Sequence, residues 1–316
     1  MHLRTLFIVG TVVFFGAGAL ALGPPPEATE VPVAAELDSA RLLRALSVLA
    51  HDSMEGRAPG TAGSTRARRY LTAELIDAGA APIGQEYERP FRFGGSRAGI
   101  NLVGMLPGED SSAGYIVLTA HYDHMGVERD QIYNGADDNA SGSAALIEIA
   151  RALEFTPLRH SVISALLDAE EAGLQGARAF VRNPPVPIAQ LRLNVNLDMV
   201  ARSGGLLWAS GAHHTPALRP MLEAIAEDAP LRLRLGHDSP NATEGDDWTQ
   251  SSDHGPFHEA GIPFIYFGVE DHSDYHRPTD DFERVNAGEY VAVVRTILAT
   301  LRAADLQTLP SRQDTP

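Results

Sequence analysis

A chain of 316 residues with 44% apolar side chains is long enough for one large or two small domains and a substantial core. A formal net charge of −16 argues against nucleic acid or an anionic membrane surface as partner. Cysteine is absent, which excludes disulfides, a thiol nucleophile and thiolate ligands, so any bound metal would be held by His and carboxylate groups.

The N-terminus carries a targeting pattern. His2 and Arg4 open it, Leu6 to Leu22 is apolar and rich in small residues, and Ala19-Leu20-Ala21 has the spacing of an export cleavage site. Residues 1–22 are therefore expected to be a signal peptide, placing the protein in the periplasm or the medium without stable membrane association once cleaved. Residues 23–36, rich in Pro and Ala, form an expected linker. Residues 37–305 form a single expected domain, and residues 306–316 a tail.

Leu42, Leu43, Leu46 and Leu49 lie at helical spacing and predict a helix over 37–49. Pro59-Gly60 breaks the chain before a second predicted helix over 64–78, stopped by Gly79. Strands are predicted over 86–93, 101–106 and 115–120. The last runs into His121-Tyr-Asp123, and a helix is predicted over 141–153, so the intervening Asp137-Asp138 lies in a strand-to-helix loop. Open α/β sheets place ligands at such loops. A buried strand over 160–167 ends at Asp168-Ala-Glu170-Glu171, a helix covers 174–181, and a strand over 191–197 ends at Asp198. A short strand over 206–209 and a helix over 216–226 follow. Residues 237–252 form a polar loop over the site, 253–260 a short helix, 263–267 a strand leading to His272–His276, and 286–301 a final helix. Strands alternating with helices predict a mostly parallel sheet covered on both faces.

Three strand ends thus carry acids or His, and two loops add Asp138 and His276. N and O ligands without thiolate suit zinc or a similar divalent ion. A carboxylate between two ions can bridge them. A further carboxylate outside the ligand set is needed to take a proton from water, and Glu170-Glu171 offers both kinds in adjacent residues. Asp137 is expected to cap the following helix; Arg57 and Arg202 are candidate partners for acids near the site, with solvated surface the default for both and for most of the remaining histidines. Asp253 and His254 are candidates to line the pocket or brace a ligand.

His121-Tyr-Asp123, Gly135-Ala-Asp-Asp138-Asn-Ala-Ser-Gly142, Asp168-Ala-Glu-Glu171-Ala-Gly-Leu-Gln-Gly176, Asn196-Leu-Asp198-Met, Ser252-Asp-His254 and Tyr275-His276-Arg-Pro-Thr-Asp280 together resemble the co-catalytic di-zinc aminopeptidases, metallopeptidase family 28. Met54-Glu-Gly-Arg57 matches as well, and the resemblance runs from Leu42 to Leu301. It implies a three-layer α/β/α domain around a mixed, mostly parallel sheet of about eight strands. It implies two zinc ions per chain, with His121 and Asp198 on one, Glu171 and His276 on the other, and Asp138 bridging through a residue whose peptide bond to Asn139 is cis. Asp123 would orient His121, Glu170 would be the general base for a metal-bridged water, and Tyr275 would steady the oxyanion. The activity implied is removal of N-terminal residues from peptides that carry a free N-terminus.

Two rivals share the fold. A glutaminyl cyclase would lean on a single zinc, and Gly135–Gly142 favours the peptidase over it. An inactive ectodomain used for binding would lack ligands or base, and all are present in the sequence.

Overall fold

The computed structural model describes residues 37–240 and 246–309. The expected signal peptide, most of the tail (310–316) and the 23–36 linker lie outside the described residues. In chain order the helices are α1 Ser39–Leu49, α2 Ala62–Asp77, α3 Gly142–Phe155, α4 Gln175–Arg182, α5 Arg219–Asp228, α6 His254–Glu259 and α7 Ala287–Asp305. The strands are β1 Ala81–Pro82, β2 Glu88–Phe93, β3 Arg97–Leu106, β4 Tyr115–His121, β5 Gly126–Glu128, β6 Gln131–Tyr133, β7 Ser161–Leu167, β8 Leu191–Leu197, β9 Leu206–Ser210, β10 Arg232–Leu235 and β11 Phe264–Gly268.

Local chemistry sets these elements. Asp38 caps α1 by accepting from the Ala40 and Arg41 amides, and Asn286 caps α7 by accepting from Gly288 and Glu289. Leu42, Leu46 and Leu49 are fully buried along one face of α1. Each contributes of order 2 kcal/mol through burial, far more than helix propensity could supply in so short a segment.

The main sheet has nine strands in the order β1-β3-β7-β4-β8-β11-β9-β10, with β2 also paired to β3. The run β7-β4-β8-β11 is parallel throughout. Pairing turns antiparallel where β3 meets β7 and where β9 meets β11. Strict alternation fails at the first edge because β2 and β3 follow one another with no helix between them, and a short connection reverses the chain. The pair β5–β6 forms a separate small hairpin.

Both faces of the central strands are apolar. Ile116, Leu118 and Ala120 of β4 join the core beneath α1, α2, α3, α5 and α7. Val117 faces the smaller core under α4 and α6, with Ile163, Ala165, Phe180 and Phe257. The result is three layers: five helices, the sheet, and two helices. From β4 the chain crosses through α3 to β7 on one side, and β8 then lies on the other side of β4. The C-terminal end of β4 is therefore where strand order reverses, and a crevice opens there.

Candidate metal centre

Each candidate ligand is delivered by a strand end or a braced loop. His121 is the last residue of β4 and is buried. Its Nδ1 lies 3.2 Å from the Asp123 carbonyl oxygen and 3.7 Å from Asp123 Oδ1, which leaves Nε2 facing the crevice. Asp123 Oδ1 also accepts the Glu170 amide at 3.0 Å and so ties the β4 and β7 ends together. Asp198 follows β8, and its Oδ2 accepts from Ser252 Oγ at 2.6 Å. Ser252 is in turn held by Asn196 Nδ2, and Asn196 Oδ1 accepts from Thr119 Oγ1. A buried polar chain thus runs from the α6 face of the sheet to one ligand.

Asp138 sits in a six-residue turn, Ala136–Ser141, ahead of α3, and its peptide bond to Asn139 is cis. Asp280 Oδ2 accepts both the Asp137 and Asp138 amides, at 3.0 and 3.1 Å. Asn139 Nδ2 donates to the Leu197 carbonyl, and its Oδ1 accepts the Gly142 amide. A Cβ at Gly142 would lie 2.4 Å from both Asn139 Oδ1 and the Leu197 carbonyl, so only glycine allows α3 to start this close to β8.

These groups meet in two trios that share Asp138. His121 Nε2 is 3.2 Å from Asp198 Oδ1 and 3.4 Å from Asp138 Oδ1. His276 Nε2 is 3.0 Å from Asp138 Oδ2 and 3.2 Å from Glu171 Oε2. The two oxygens of Asp138 therefore face opposite trios, as a bridging carboxylate requires. The electrostatics match a site built for positive charge. Burial works against ionising Glu171, but hydrogen bonds from His124 and His276 outweigh it and hold the carboxyl well below its usual range. Hydrogen bonds to Asp138 and Glu171 push His276 up to about 10. Burial disfavours a charged His121, yet Asp198 and Glu170 raise it well above its ordinary value. The same carboxylates that favour a proton on these imidazoles would favour a divalent ion between them. The His and carboxylate donors, with no thiolate, fit zinc.

Residues 101–301 match the description "Peptidase family M28". The chain belongs to peptidase family M28. It is 31% identical over 196 residues to the aminopeptidase YwaD of Bacillus subtilis, across 59% of this chain and 40% of that protein. The chain spans about half the length of the curated relatives it matches. Among solved structures, BSAP, a zinc aminopeptidase from Bacillus subtilis, superposes with a TM-score of 0.69 at 16% identity, covering 89% of this chain and 98% of that one. Porphyromonas gingivalis glutaminyl cyclase superposes with a TM-score of 0.70 at 22% identity, covering 84% and 98%. At such identities the likenesses show the fold, and the three-layer expectation holds.

Several expectations need correction on this M28 frame. Asp137 caps no helix. Its buried carboxylate accepts the Ala201 amide at 2.7 Å and lies 3.2 Å from His272 Nε2. Arg57 is fully buried rather than solvated, and it donates to backbone carbonyls. Arg202 does pair with an acid near the site, Asp274, at 2.8 Å. The ligand brace in Ser252-Asp-His254 is the serine. His254 instead donates to the Trp248 carbonyl and stacks on Tyr266, and burial takes it down to about 4. His237 is likewise buried, stacked on Trp248. Apolar stacking gave these rings interior seats that sequence spacing does not encode. One residue of the centre was missed altogether: His124, whose Nδ1 lies 2.7 Å from Glu171 Oε1. Its signal was present, one position after Asp123, but a second His beside a complete ligand set drew no role.

Asp253 is buried beside the centre, and neither carboxyl oxygen has a hydrogen-bond partner among the described residues. Burial pushes it up to about 8. A carboxyl with a raised folded pKa keeps its proton when folded and loses it when unfolded, so stability falls as pH climbs from about 4 to about 8. In chelator-treated protein, Asp253→Asn is expected to be more stable than the parent by of order 2 kcal/mol at pH 8, with a smaller difference at pH 5. Urea midpoints at the two pH values check this. A difference independent of pH would contradict it.

Proposed function

We propose that the chain is an exported zinc aminopeptidase with two ions per chain, held by His121, Asp138 and Asp198 and by Asp138, Glu171 and His276. The shared Asp138, one oxygen toward each trio, is the observation that carries the reading. Bound zinc would polarise the scissile carbonyl and lower the pKa of water.

The remaining roles belong to the chain's own residues. Glu170 lines a cavity of about 240 Å³ together with Asp138, Asp198 and Tyr275. It takes a proton from the attacking water and returns it to the leaving amine. Burial raises its carboxyl well above the ordinary range, opposed by His121. Cations in the two trios would favour its ionised form. Tyr275 stacks on the His276 ring with centroids 3.9 Å apart. Its hydroxyl is kept protonated by burial, as a donor to a developing oxyanion must be.

Two cavities support a direction for the substrate. Beyond the proposed ligands Asp138 and Asp198 and the base Glu170, the small one is lined by Asp246 and Asp271, with no basic side chain among the described residues. It suits the substrate's terminal ammonium. On the other side of Asp138, about 750 Å³ opens between Glu171, His276 and His124 and the apolar Pro59, Phe93 and Met125. It suits the rest of the peptide. Peptides with a free N-terminus are expected to be cleaved at least 100-fold faster than their N-acetylated forms, because the acetyl group removes the charge that the small cavity receives. Liquid chromatography of paired peptides reads the ratio. Equal rates would contradict the exopeptidase reading, and ring closure of N-terminal glutamine without peptide cleavage would favour the glutaminyl cyclase that the fold also resembles.

Export rests on the sequence of residues 1–22. Among the described residues no helix is long and apolar enough to cross a membrane. N-terminal sequencing of the mature protein, expected to begin shortly after Ala21, tests it.

A further inference from the structure

His124 belongs to none of the roles assigned so far, yet its side chain is buried against the second trio. Its Nδ1 is 2.7 Å from Glu171 Oε1 and 3.8 Å from Asp138 Oδ2. The imidazole lies against the Gly135 backbone, where a Cβ would come within 2.5 Å of the ring. Its Nε2 is buried with no hydrogen-bond partner among the described residues. That last feature separates two possible roles. Were Nδ1 to give its lone pair to an ion, Nε2 would carry the proton and become a buried N–H without an acceptor. Ligating imidazoles almost always have that second N–H bound. With the proton on Nδ1, donated to the carboxylate, Nε2 is a bare acceptor, the cheaper group to leave unpaired.

We propose that His124 is a positioning residue of the metal centre: it donates from Nδ1 to Glu171 Oε1 and leaves only Oε2 facing the position shared with His276 and Asp138. Both oxygens of Glu171 then have distinct duties, one held by His124 and one 3.2 Å from His276 Nε2. The carboxylate cannot rotate or engage through both oxygens. This inference rests on the zinc reading of the site.

The test is zinc affinity, measured on the full chain by competition with a chromogenic chelator, for the parent and for His124→Leu, His124→Asn and His124→Gln. Asn places an amide N–H near the Nδ1 position, whereas Gln places it near Nε2. His124→Leu and His124→Gln are expected to weaken one of the two zinc affinities about 10–100-fold, while His124→Asn stays within about threefold of the parent. The contrast between Asn and Gln decides the matter even if the Leu variant fails to fold. A Leu or Gln variant that binds both ions as tightly as the parent overturns the proposal. So does an Asn variant as weak as Leu with an altered visible spectrum of the cobalt-substituted protein, which would make His124 a direct ligand. A parent chain that binds no zinc sinks the metal reading itself.

Discussion

Glu170→Gln is expected to keep its full zinc content and lose about 10²–10⁴-fold in kcat, with KM changed only a few-fold. The side chain lines the small cavity beside Asp138 and Asp198. It is not among the donors that converge around Asp138, neither with His121 and Asp198 nor with His124, His276 and Glu171, so its neutral isostere leaves them in place. Its backbone is fixed independently, by the amide donated to Asp123 Oδ1. The rise of kcat/KM with pH on the acid side should flatten in the variant, because the group whose proton must leave is gone. Steady-state kinetics alongside metal analysis check both parts. Loss of zinc together with activity would instead make Glu170 a ligand, and retention of near-parental kcat would remove it from the chemistry.

Arg57→Met is expected to cost about 3–5 kcal/mol in folding stability. Few side chains here are so heavily committed. The guanidinium is fully buried and donates to four carbonyls: Leu49 at 2.7 Å, Tyr122 at 2.7 Å, Asn134 at 2.6 Å and Gly135 at 3.1 Å. Burial lowers it to about 10, and the nearby Asp123 and Asp138 help keep it charged. These carbonyls belong to the end of α1, the segment after His121 and the approach to Asp138, so one side chain clamps three segments at the base of the site. Methionine replaces the aliphatic stem and removes the donor to all four carbonyls, of which only Gly135 keeps another partner, the Ala140 amide at 3.1 Å. Lysine retains charge but its compact ammonium cannot span the fork of acceptors, so Arg57→Lys should recover only part of the loss. Urea midpoints rank the three proteins. A cost below about 1 kcal/mol for Met would mean that the carbonyls find other partners.

What the sequence disclosed follows from where its chemistry sits. His121 and the Asp168–Glu171 segment end the largely apolar strands β4 and β7, and such runs are central strands of a sheet covered on both faces, whereas Asp198 ends β8, whose buried Asn194 and Asn196 interrupt the pattern. Their convergence follows from strand adjacency, since β7 and β8 flank β4. What stayed hidden depended on contacts between distant segments. Arg57 meets backbone 65 to 78 positions away, and backbone carbonyls leave no trace in a sequence pattern. Asp137 looked like a cap because it precedes a helix, but the turn through Asp138 aims it at Ala201 instead. The strand β10, Arg232–Leu235, alternates charged and apolar residues over too few positions to announce itself beside a polar loop. The hairpin β5–β6 is shorter still. His124 was visible as a letter but not as a role, because its partner oxygen belongs to a residue already given one.

The most direct test of the central claim is zinc content measured together with hydrolysis of aminoacyl anilides, on the same preparation, before chelation, after it, and on restoring zinc. The account predicts about two zinc ions per chain, loss of aniline release when they are removed, and recovery as the second equivalent returns. Undiminished hydrolysis by the metal-free protein would contradict it.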